Sequence, residues 1–403
     1  MAVPATRDTD MNDRRYIVAG GLIDGSGAEV RKNICLVVED GIIVAIDSVA
    51  RPPHGAAVDD FSYGLILPAL VDCSVYLTRS PSIDQRMQLI SATAGPAEKM
   101  SLIGKHVDYC HAHGILGVVD CSCEEDLIGR FRDGSPARGE IDIRIAGPVC
   151  RDEKSAAAKG AAGDFIKIAY SAGITEADAN PGLDYAGLCR YLRHKAGKKA
   201  VVLANGERQV AEAIEAGCDA IEQGYGMGEN NLRKMAEKDI LWIPSLLQAK
   251  NALDGSGSGG DVCCRFSLRY VAPGKAVPGG EALWKKVLAD QLAQLRMART
   301  IGVKAAVGTG AGSVGILHGE SVAEEMKLFI KAGYTLGETF RCASENGARF
   351  FGMDGLGALA VGRRATFLVT RGTAQQLPRK LSYLEGIYVG GDPSGVYRKI
   401  PAK

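Results

Sequence analysis

One lysine lies inside an otherwise apolar run, "FIKIAYSAG" at residues 165–173, and the run is typical of a buried strand. Lysine is almost never fully buried without a partner, because removing an ammonium group from water is costly. Valine or isoleucine would suit the same strand position at no such cost. The sequence therefore marks Lys167 as the first candidate for chemistry, as a nucleophile or a base.

The elements that must position Lys167 recur along the middle of the chain. Eight short runs rich in β-branched and aliphatic residues lie at 69–75, 117–123, 142–147, 165–171, 200–206, 220–224, 241–245 and 304–310. Helical patterns separate most of them, such as "ERQVAEAIEAG", whose apolar residues repeat at three- and four-residue spacing before Gly217. Eight strand and helix units predict an α/β fold, a (β/α)8 TIM-like barrel, with an open doubly wound sheet as the alternative.

The two ends of the chain carry a different pattern. Residues 15–60, and residues 356–391 apart from a break, alternate at period two around Gly and Asp-Gly turns, which predicts β-hairpins. We therefore predict a small β-sandwich domain formed by both termini, residues 1–65 and 351–403, around a barrel of residues 66–350.

The longest interruption of the barrel pattern is residues 246–283, which contain "LDGSGSGGDVCC". Its glycines and serines predict a mobile loop. A loop after the seventh strand would lie over the mouth of the barrel, where the carboxyl ends of the strands meet.

Composition excludes several classes of protein. The chain has 403 residues with 48 basic and 47 acidic side chains, so no nucleic-acid partner is expected. No apolar stretch reaches the ~20 residues of a membrane span, and the polar start does not resemble a signal peptide, which predicts a cytoplasmic protein without a membrane partner. Eleven scattered cysteines favour reduced thiols over a disulfide framework.

Several ordered motifs point to a known family. They include "GGLIDGSG", "LPALVDCSVYL", "GDFIKIAYSAG", "EAIEAGCDAIEQG", "GVKAAVGTGAG" and the long run from "AGYTLGETF" to "GRRATFLV". From about Tyr16 to Gly391 the chain resembles the metal-dependent amidohydrolase superfamily, more narrowly its imidazolonepropionase and prolidase-like branch. The resemblance implies a barrel with a β-sandwich, oligomers, and an ancestral hydrolysis of C–N bonds in amide or cyclic amide substrates.

The resemblance also implies metal ligands at the strand ends, and most of them are replaced. Where the family has two histidines after strand one, this chain has Ser74 and Tyr76. The lysine that is carboxylated in the family and bridges two metal ions is kept as Lys167. The family's histidines after strands five and six are replaced here by Leu203 and Gln223. Its aspartate after strand eight is replaced by Gly310. Leucine and glycine offer no side-chain donor atoms, so we expect no metal site and no other cofactor.

Two interpretations of Lys167 follow from this loss. In the first, desolvation next to Leu203 lowers the pKa of Lys167, and Tyr76 and Ser74 serve as proton donors to a catalytic amine. We also expect the Tyr76 hydroxyl within hydrogen-bond reach of Lys167. In the second, Lys167 is a relic whose ammonium group is satisfied by Tyr76, Gln223 or water.

Other side chains near the predicted mouth are weaker candidates. Those that could contact a substrate or ligand are Gln223, Asn205, Asp120, Gly310 and His318. The glycine-rich "GTGAGSVG" after strand eight could bind an anion through its N–H groups, or merely form a turn. A thiol cluster or soft-metal site is conceivable at Cys73, Cys121, Cys123 and Cys150, although alternation turns Cys73 away from Ser74 and Tyr76. The remaining histidines of a predicted helix, His106, His111 and His113, are expected to be packing or surface residues.

Three functions remain open. The favoured hypothesis is an amidohydrolase homologue without the binuclear metal site that acts as a non-catalytic scaffold or regulatory pseudoenzyme, with a protein partner or as a homo-oligomer. The second is a metal-independent enzyme that uses Lys167 on a small amide-like or carbonyl substrate held in the barrel mouth. The third is an anion-binding or small-ligand-binding protein.

Overall fold

The computed structural model describes residues 14–47, 52–122, 124–134, 140–147, 163–174, 182–195, 197–256 and 279–397. Within them the strands are β1 (Arg14–Leu22), β2 (Arg31–Glu39), β3 (Ile42–Asp47), β4 (Ala57–Pro68), β5 (Leu70–Val75), β6 (Ile115–Asp120), β7 (Asp142–Ile145), β8 (Ile166–Ala169), β9 (Ala200–Ala204), β10 (Ala220–Gln223), β11 (Leu241–Ile243), β12 (Phe367–Arg371), β13 (Leu384–Val389) and β14 (Asp392–Pro393).

The helices follow the strands in the alternation that the sequence predicts. They are α1 (Gln85–Thr93), α2 (Pro96–Ala112), α3 (Glu125–Gly134), α4 (Tyr185–Arg193), α5 (Glu207–Ala216), α6 (Gly228–Glu237), α7 (Leu246–Ser256), α8 (Gly280–Ile301), α9 (Glu320–Lys331), α10 (Leu336–Cys342) and α11 (Glu345–Phe351). Helix α5 buries its apolar stripe and ends at Gly217, whose φ of +94° is the left-handed conformation that glycine adopts without strain.

The barrel closes into a ring of eight parallel elements. Strands β5, β6 and β7 form one sheet and β8 to β11 another. Parallel bridges join the two sheets and the eighth run, at Ala146 with Phe165, at Trp242 with Ala305 and at Val75 with Ala311. The eighth run, predicted at 304–310, is held through bridges and single hydrogen bonds rather than as a regular strand. Ring closure confirms the barrel and rules out the open doubly wound sheet.

Both termini contribute to one seven-stranded sheet beside the barrel. Its order is β14-β13-β12-β4-β1-β2-β3, so C-terminal strands pair directly with N-terminal ones. Strand β12 runs antiparallel to β4, and β4 runs parallel to β1. The prediction of a small β-domain assembled from both ends of the chain is therefore confirmed.

The barrel holds two apolar layers because its strands alternate inward and outward. Val119 and Ala220 belong to the cluster inside the barrel, whereas Val118 and Ile221 belong to the cluster between barrel and helices. Lys167 and Glu222 continue the inward series of β8 and β10, because they lie two residues beyond Phe165 and Ala220.

The prediction of a loop from residue 246 was wrong at its start. Residues Leu246–Ser256 form helix α7, and α8 begins at Gly280, so the described ends of the interruption are helical. Residues 257–278, which carry most of its glycines, lie outside the described residues. Separately, none of the described helices is both long enough and apolar enough to cross a membrane.

Candidate functional site

Lys167 lies on β8, with its side chain inside the barrel. Its side chain is 3% exposed, and its Nζ lies 2.6 Å from Oε2 of Glu222 on β10, which is 2% exposed. An ion pair between two such groups needs this close contact, because both lose their hydration. The interior charge that the sequence singled out is therefore compensated by a second interior charge.

Ser74 completes the polar group from a third strand. Its Oγ donates a 2.7 Å hydrogen bond to Oε1 of Glu222, and the residue is fully buried. Sequence reasoning placed Ser74 near Lys167 but missed Glu222, although "AIEQG" was among the motifs. Period-two alternation from the inward Ala220 would have pointed to Glu222 rather than Gln223.

The predicted lowering of the Lys167 pKa was wrong. Burial by itself lowers that pKa, but the neighbouring Cys121, the Glu222 carboxylate and Tyr76 raise it, so the pKa lies well above its usual value. The Glu222 carboxylate lies 2.6 Å from the ammonium group, and an opposite charge at that distance favours the protonated form. Lys167 is thus an ammonium ion at neutral pH and not a free amine.

Tyr76 meets Lys167 through its ring and not through its hydroxyl. Lys167 Nζ lies 5.5 Å from the ring centroid, within the range of a cation–π contact, and the Arg79 guanidinium carbon lies 4.2 Å from the same centroid. Burial raises the pKa of the Tyr76 hydroxyl to about 12. The expected hydrogen bond from that hydroxyl to Lys167 is not formed between these two described residues.

A chain of neutral amides occupies the ends of the next strands. Asn205 Nδ2 donates to Gln223 Oε1 at 2.7 Å, and Gln223 Nε2 donates to Gln248 Oε1 at 2.9 Å. Asn205 Oδ1 in turn accepts from the Tyr225 backbone N–H at 2.9 Å. Gln248 was missed because it stands on α7, in a segment predicted to be a loop. The amides satisfy one another and fix the rim of the mouth.

Gly310, next to this amide chain, has a backbone conformation that favours glycine. Its φ is +71°, and a Cβ at this position would lie 2.5 Å from Gln248 Nε2. The N–H groups of the surrounding loop donate within the chain: Thr309 to Asp72, Gly310 to Ser74, Gly312 to Ile316, Ser313 to Gly310 and Gly315 to Pro81. These donors are consumed, so the anion site predicted at "GTGAGSVG" has no support in the geometry.

Asp120 and His318 both hold the segment that follows β5. Asp120 Oδ1 accepts from the Leu77 N–H at 2.9 Å and from Ser122 Oγ at 2.6 Å. His318 Nε2 lies 3.2 Å from the Tyr76 carbonyl oxygen, and its ring stacks on His106 at 3.7 Å between centroids. Asp120 and His318, both predicted to contact a ligand, therefore already bind the backbone at Leu77 and Tyr76.

The cysteines near the barrel strands are core residues where they are described. Cys73 and Cys121 belong to the apolar cluster inside the barrel, and burial raises the pKa of the Cys121 thiol to about 12. Strand alternation predicted that Cys73 points away from Ser74. The pairing of β5 with β6 is irregular between Asp72 and Val75, and both Cys73 and Ser74 lie near the inside of the barrel. Cys123 and Cys150 lie outside the described residues.

The described residues do not fit the binuclear metal centre that the family resemblance implies. A carboxylated lysine would be an anion, yet Lys167 faces the Glu222 carboxylate, and the two charges already cancel. Leu203 and Gly310 provide no donor atoms, and Gln223 is engaged with other amides. Within the described part of the chain, no cluster of three or more His, Cys, Asp or Glu side chains could hold a metal ion.

A second buried carboxylate lies beside the site and predicts a pH dependence of stability. Glu325 is fully buried, and its two oxygens accept the N–H groups of Leu246 and Leu247 at the start of α7, at 2.8 and 2.7 Å. Burial raises its pKa from 4.5 to about 8, although both hydrogen bonds lower it.

We expect the free energy of unfolding to fall as pH rises from 6.5 to 8. A folded-state pKa above the unfolded value gives stability that is full below the unfolded pKa and lost as pH rises through the folded pKa, by up to about 1.4 kcal/mol per pH unit. Urea unfolding across this range should show the slope, Glu325→Gln should flatten it, and the exposed Glu229→Gln should not. An unchanged slope in Glu325→Gln would contradict the assignment. The range starts above the pKa of Asp72, which burial raises to about 6.

The comparisons with known proteins agree with this architecture. Residues 191–399 match the model of the amidohydrolase family. An uncharacterized protein of Mycobacterium tuberculosis is 27% identical over 163 residues, and the match covers only 40% of this chain and 40% of that protein. A Xaa-Pro dipeptidase with bound methionine in its active site superposes with a TM-score of 0.74 at 20% identity, over 94% of this chain and 99% of that one.

Two further solved structures share the fold. A putative prolidase from Bifidobacterium longum gives a TM-score of 0.74 at 18% identity, over 98% of this chain and 97% of its own. The ochratoxinase of A. niger gives 0.74 at 17% identity, over 95% and 96%. At these identities the structural likeness shows only the fold. The family model, however, matches more than half of the chain and therefore shows the family. The chain belongs to the amidohydrolase family.

Proposed function

We propose that this amidohydrolase-family chain does not carry out metal-dependent hydrolysis and acts as a non-catalytic scaffold or regulatory protein. The observation that carries the proposal is the buried ion pair between Lys167 and Glu222. The family position that would bridge two cations is occupied here by a cation that is already neutralised. A divalent ion would have to displace this ammonium group, because like charges repel at such short range.

The amide chain supports the same conclusion. Asn205, Gln223 and Gln248 are neutral and bonded to one another, so these three side chains add no negative charge that could attract a metal ion. Activation of water in this fold family depends on such an ion, which lowers the pKa of the bound water. Without that ion, none of the described groups at the mouth is a strong general base free to act on water.

Metal-free catalysis by Lys167, the second hypothesis, has less support. A nucleophilic or basic lysine must lose its proton at neutral pH, whereas Glu222 holds the pKa of Lys167 well above its usual value. Ser74 is fully buried and its hydroxyl already donates to Glu222. Two of the three predicted catalytic side chains, Lys167 and Ser74, are therefore occupied with structural contacts.

A scaffold needs a surface that another protein can bind. Helix α1 exposes three apolar side chains, since Met87, Leu89 and Ile90 are 48%, 65% and 58% exposed. Apolar groups placed together on a surface are typical of protein contacts. The chemistry of this helix suits a second copy of the chain or another protein, as the sequence predicted, and that partner remains a prediction.

Metal content tests the proposal. We expect protein produced with added Zn²⁺ and Mn²⁺ to retain less than about 0.1 ion per chain after gel filtration, measured by elemental analysis, because the donor set is incomplete. The same metals should not accelerate hydrolysis of a Xaa-Pro dipeptide. The control is Lys167→Met/Glu222→Leu, which removes both charges and should have the same metal content.

The opposite result is equally clear. One tightly held ion per chain that the double variant loses, together with metal-dependent turnover of the dipeptide, would overturn the proposal and return this chain to the hydrolases.

A further inference from the structure

A cavity lies at the opposite end of the barrel from Lys167. This basal cleft, of about 840 Å³, is found where β9, β10 and β11 begin and where α8, α10 and α11 end or pass. Its volume lies in the range of small-molecule sites. Sequence motifs gave no indication of it, since its residues come from many separate turns.

The walls of the basal cleft carry more positive than negative side chains. The cations are Lys199, Lys238, Arg299, Lys304, Arg341 and Arg349, against four carboxylates. Part of this charge is paired: Lys304 Nζ lies 2.6 Å from Asp239, and Arg299 Nε lies 2.8 Å from Glu338. Arg341 Nη1 donates to the Ser26 carbonyl oxygen, at 3.4 Å. Within the described chain Arg349 and Lys238 have no carboxylate partner. The excess positive charge is therefore concentrated at Arg341, Arg349 and Lys238.

A buried hydroxyl at the inner wall is unsatisfied. Tyr334 is 6% exposed and lines the cleft, yet its hydroxyl has no hydrogen-bond partner among the described residues. A buried donor without an acceptor is unfavourable, so this hydroxyl would gain a hydrogen bond from an acceptor bound in the cleft. Burial, Cys342 and Glu338 raise the pKa of this hydroxyl, whereas Arg299 and Arg341 lower it; the net rise keeps the hydroxyl protonated as a donor.

An aromatic face completes the cleft. The ring of Phe350 lies at its wall, and Lys199 Nζ lies 5.4 Å from the ring centroid. An apolar ring beside cationic groups suits a ligand that has a charged end and a flat or apolar body. Arginine forks match phosphate oxygens in pairs, which favours phosphate over a single carboxylate.

We propose that the basal cleft binds a small phosphorylated molecule, with Arg341 and Arg349 on the phosphate, the Tyr334 hydroxyl as an additional donor, and Phe350 against the body of the ligand. Such a site lies at the opposite end of the barrel from the Lys167 group. It is independent of whether the barrel mouth has kept any catalysis.

Calorimetric titration of the full chain with inorganic pyrophosphate tests this proposal. We expect saturable binding that weakens with added NaCl, and an upward shift of the melting temperature. Arg349→Gln should weaken binding about tenfold, since it removes a charged contact. Tyr334→Phe removes only the unpaired hydroxyl, so it should weaken binding severalfold without lowering the melting temperature of the free protein.

Matched controls separate a site from general charge. Arg233→Gln removes an exposed arginine of α6 that lies outside the cleft, and it should leave binding unchanged. Citrate should bind much more weakly than pyrophosphate at the same ionic strength. The proposal is overturned if millimolar pyrophosphate gives neither heat nor a shift, if Arg349→Gln and Arg233→Gln weaken binding equally, or if citrate binds as well.

Discussion

Replacing Lys167 by methionine is expected to lower the free energy of unfolding by about 3–5 kcal/mol, because it leaves the Glu222 carboxylate buried without a counter-charge. Glu222 is 2% exposed at its side chain, so water cannot compensate. The Ser74 hydroxyl at 2.7 Å would remain as a partner of the carboxylate, which softens the loss without removing it. Urea unfolding at pH 7.5, followed by circular dichroism, measures the change.

The double variant Lys167→Met/Glu222→Leu separates an unpaired charge from a lost interaction. Removing both charges with apolar residues of similar size should restore stability to within about 1–2 kcal/mol of the wild type. As a surface comparison, Arg233→Met breaks an exposed pair with Glu229 and should change the stability by less than about 1 kcal/mol. If Lys167→Met were as mild as Arg233→Met, the buried pair would not have the role assigned to it.

Replacing Asp72 by alanine is expected to destabilise the protein by about 3 kcal/mol or more, because several buried donors, where the barrel closes, would lose their acceptor. Asp72 on β5 accepts from the Thr309 N–H at 2.9 Å, from Thr309 Oγ1 at 2.6 Å and from the Ser74 N–H at 3.3 Å. These bonds join β5, the first strand of the barrel, to the eighth run at residues 304–310, which has little regular strand pairing. Urea unfolding at pH 7.5 again gives the value.

A graded series strengthens that experiment. Thr309→Val removes only the hydroxyl and should cost less than Asp72→Ala, about 1–2 kcal/mol. Asp60→Ala removes an exposed carboxylate that accepts from the Ser62 N–H at 2.8 Å, and it should cost less than about 1 kcal/mol. A loss in Asp72→Ala no larger than in Asp60→Ala would show that the barrel closes without this carboxylate.

Much of the fold could be predicted because it depends on local patterns. The apolar runs identified the seven regular barrel strands to within a few residues, since burial on both faces demands continuous aliphatic residues. The eighth run was found in the same way, although it lacks regular pairing. Residues 246–256 were misjudged because Gly255 and Ser256 begin the run of glycines and serines only at the end of an otherwise helical segment. Helix α7 gains its stability from packing that composition does not reveal.

The candidate site divides along the same line. Sequence alone identified Lys167 as a buried charge, because burial follows from the apolar residues around it, and the replacement of the family's metal donors stays a prediction from residue types. Only the tertiary structure decided that Glu222 neutralises Lys167, that Gln248 ends the amide chain, and that six distant cations surround one basal cleft. These partners stand tens of residues apart, and which side chains meet across a closed barrel depends on strand register and ring closure, which no local pattern contains.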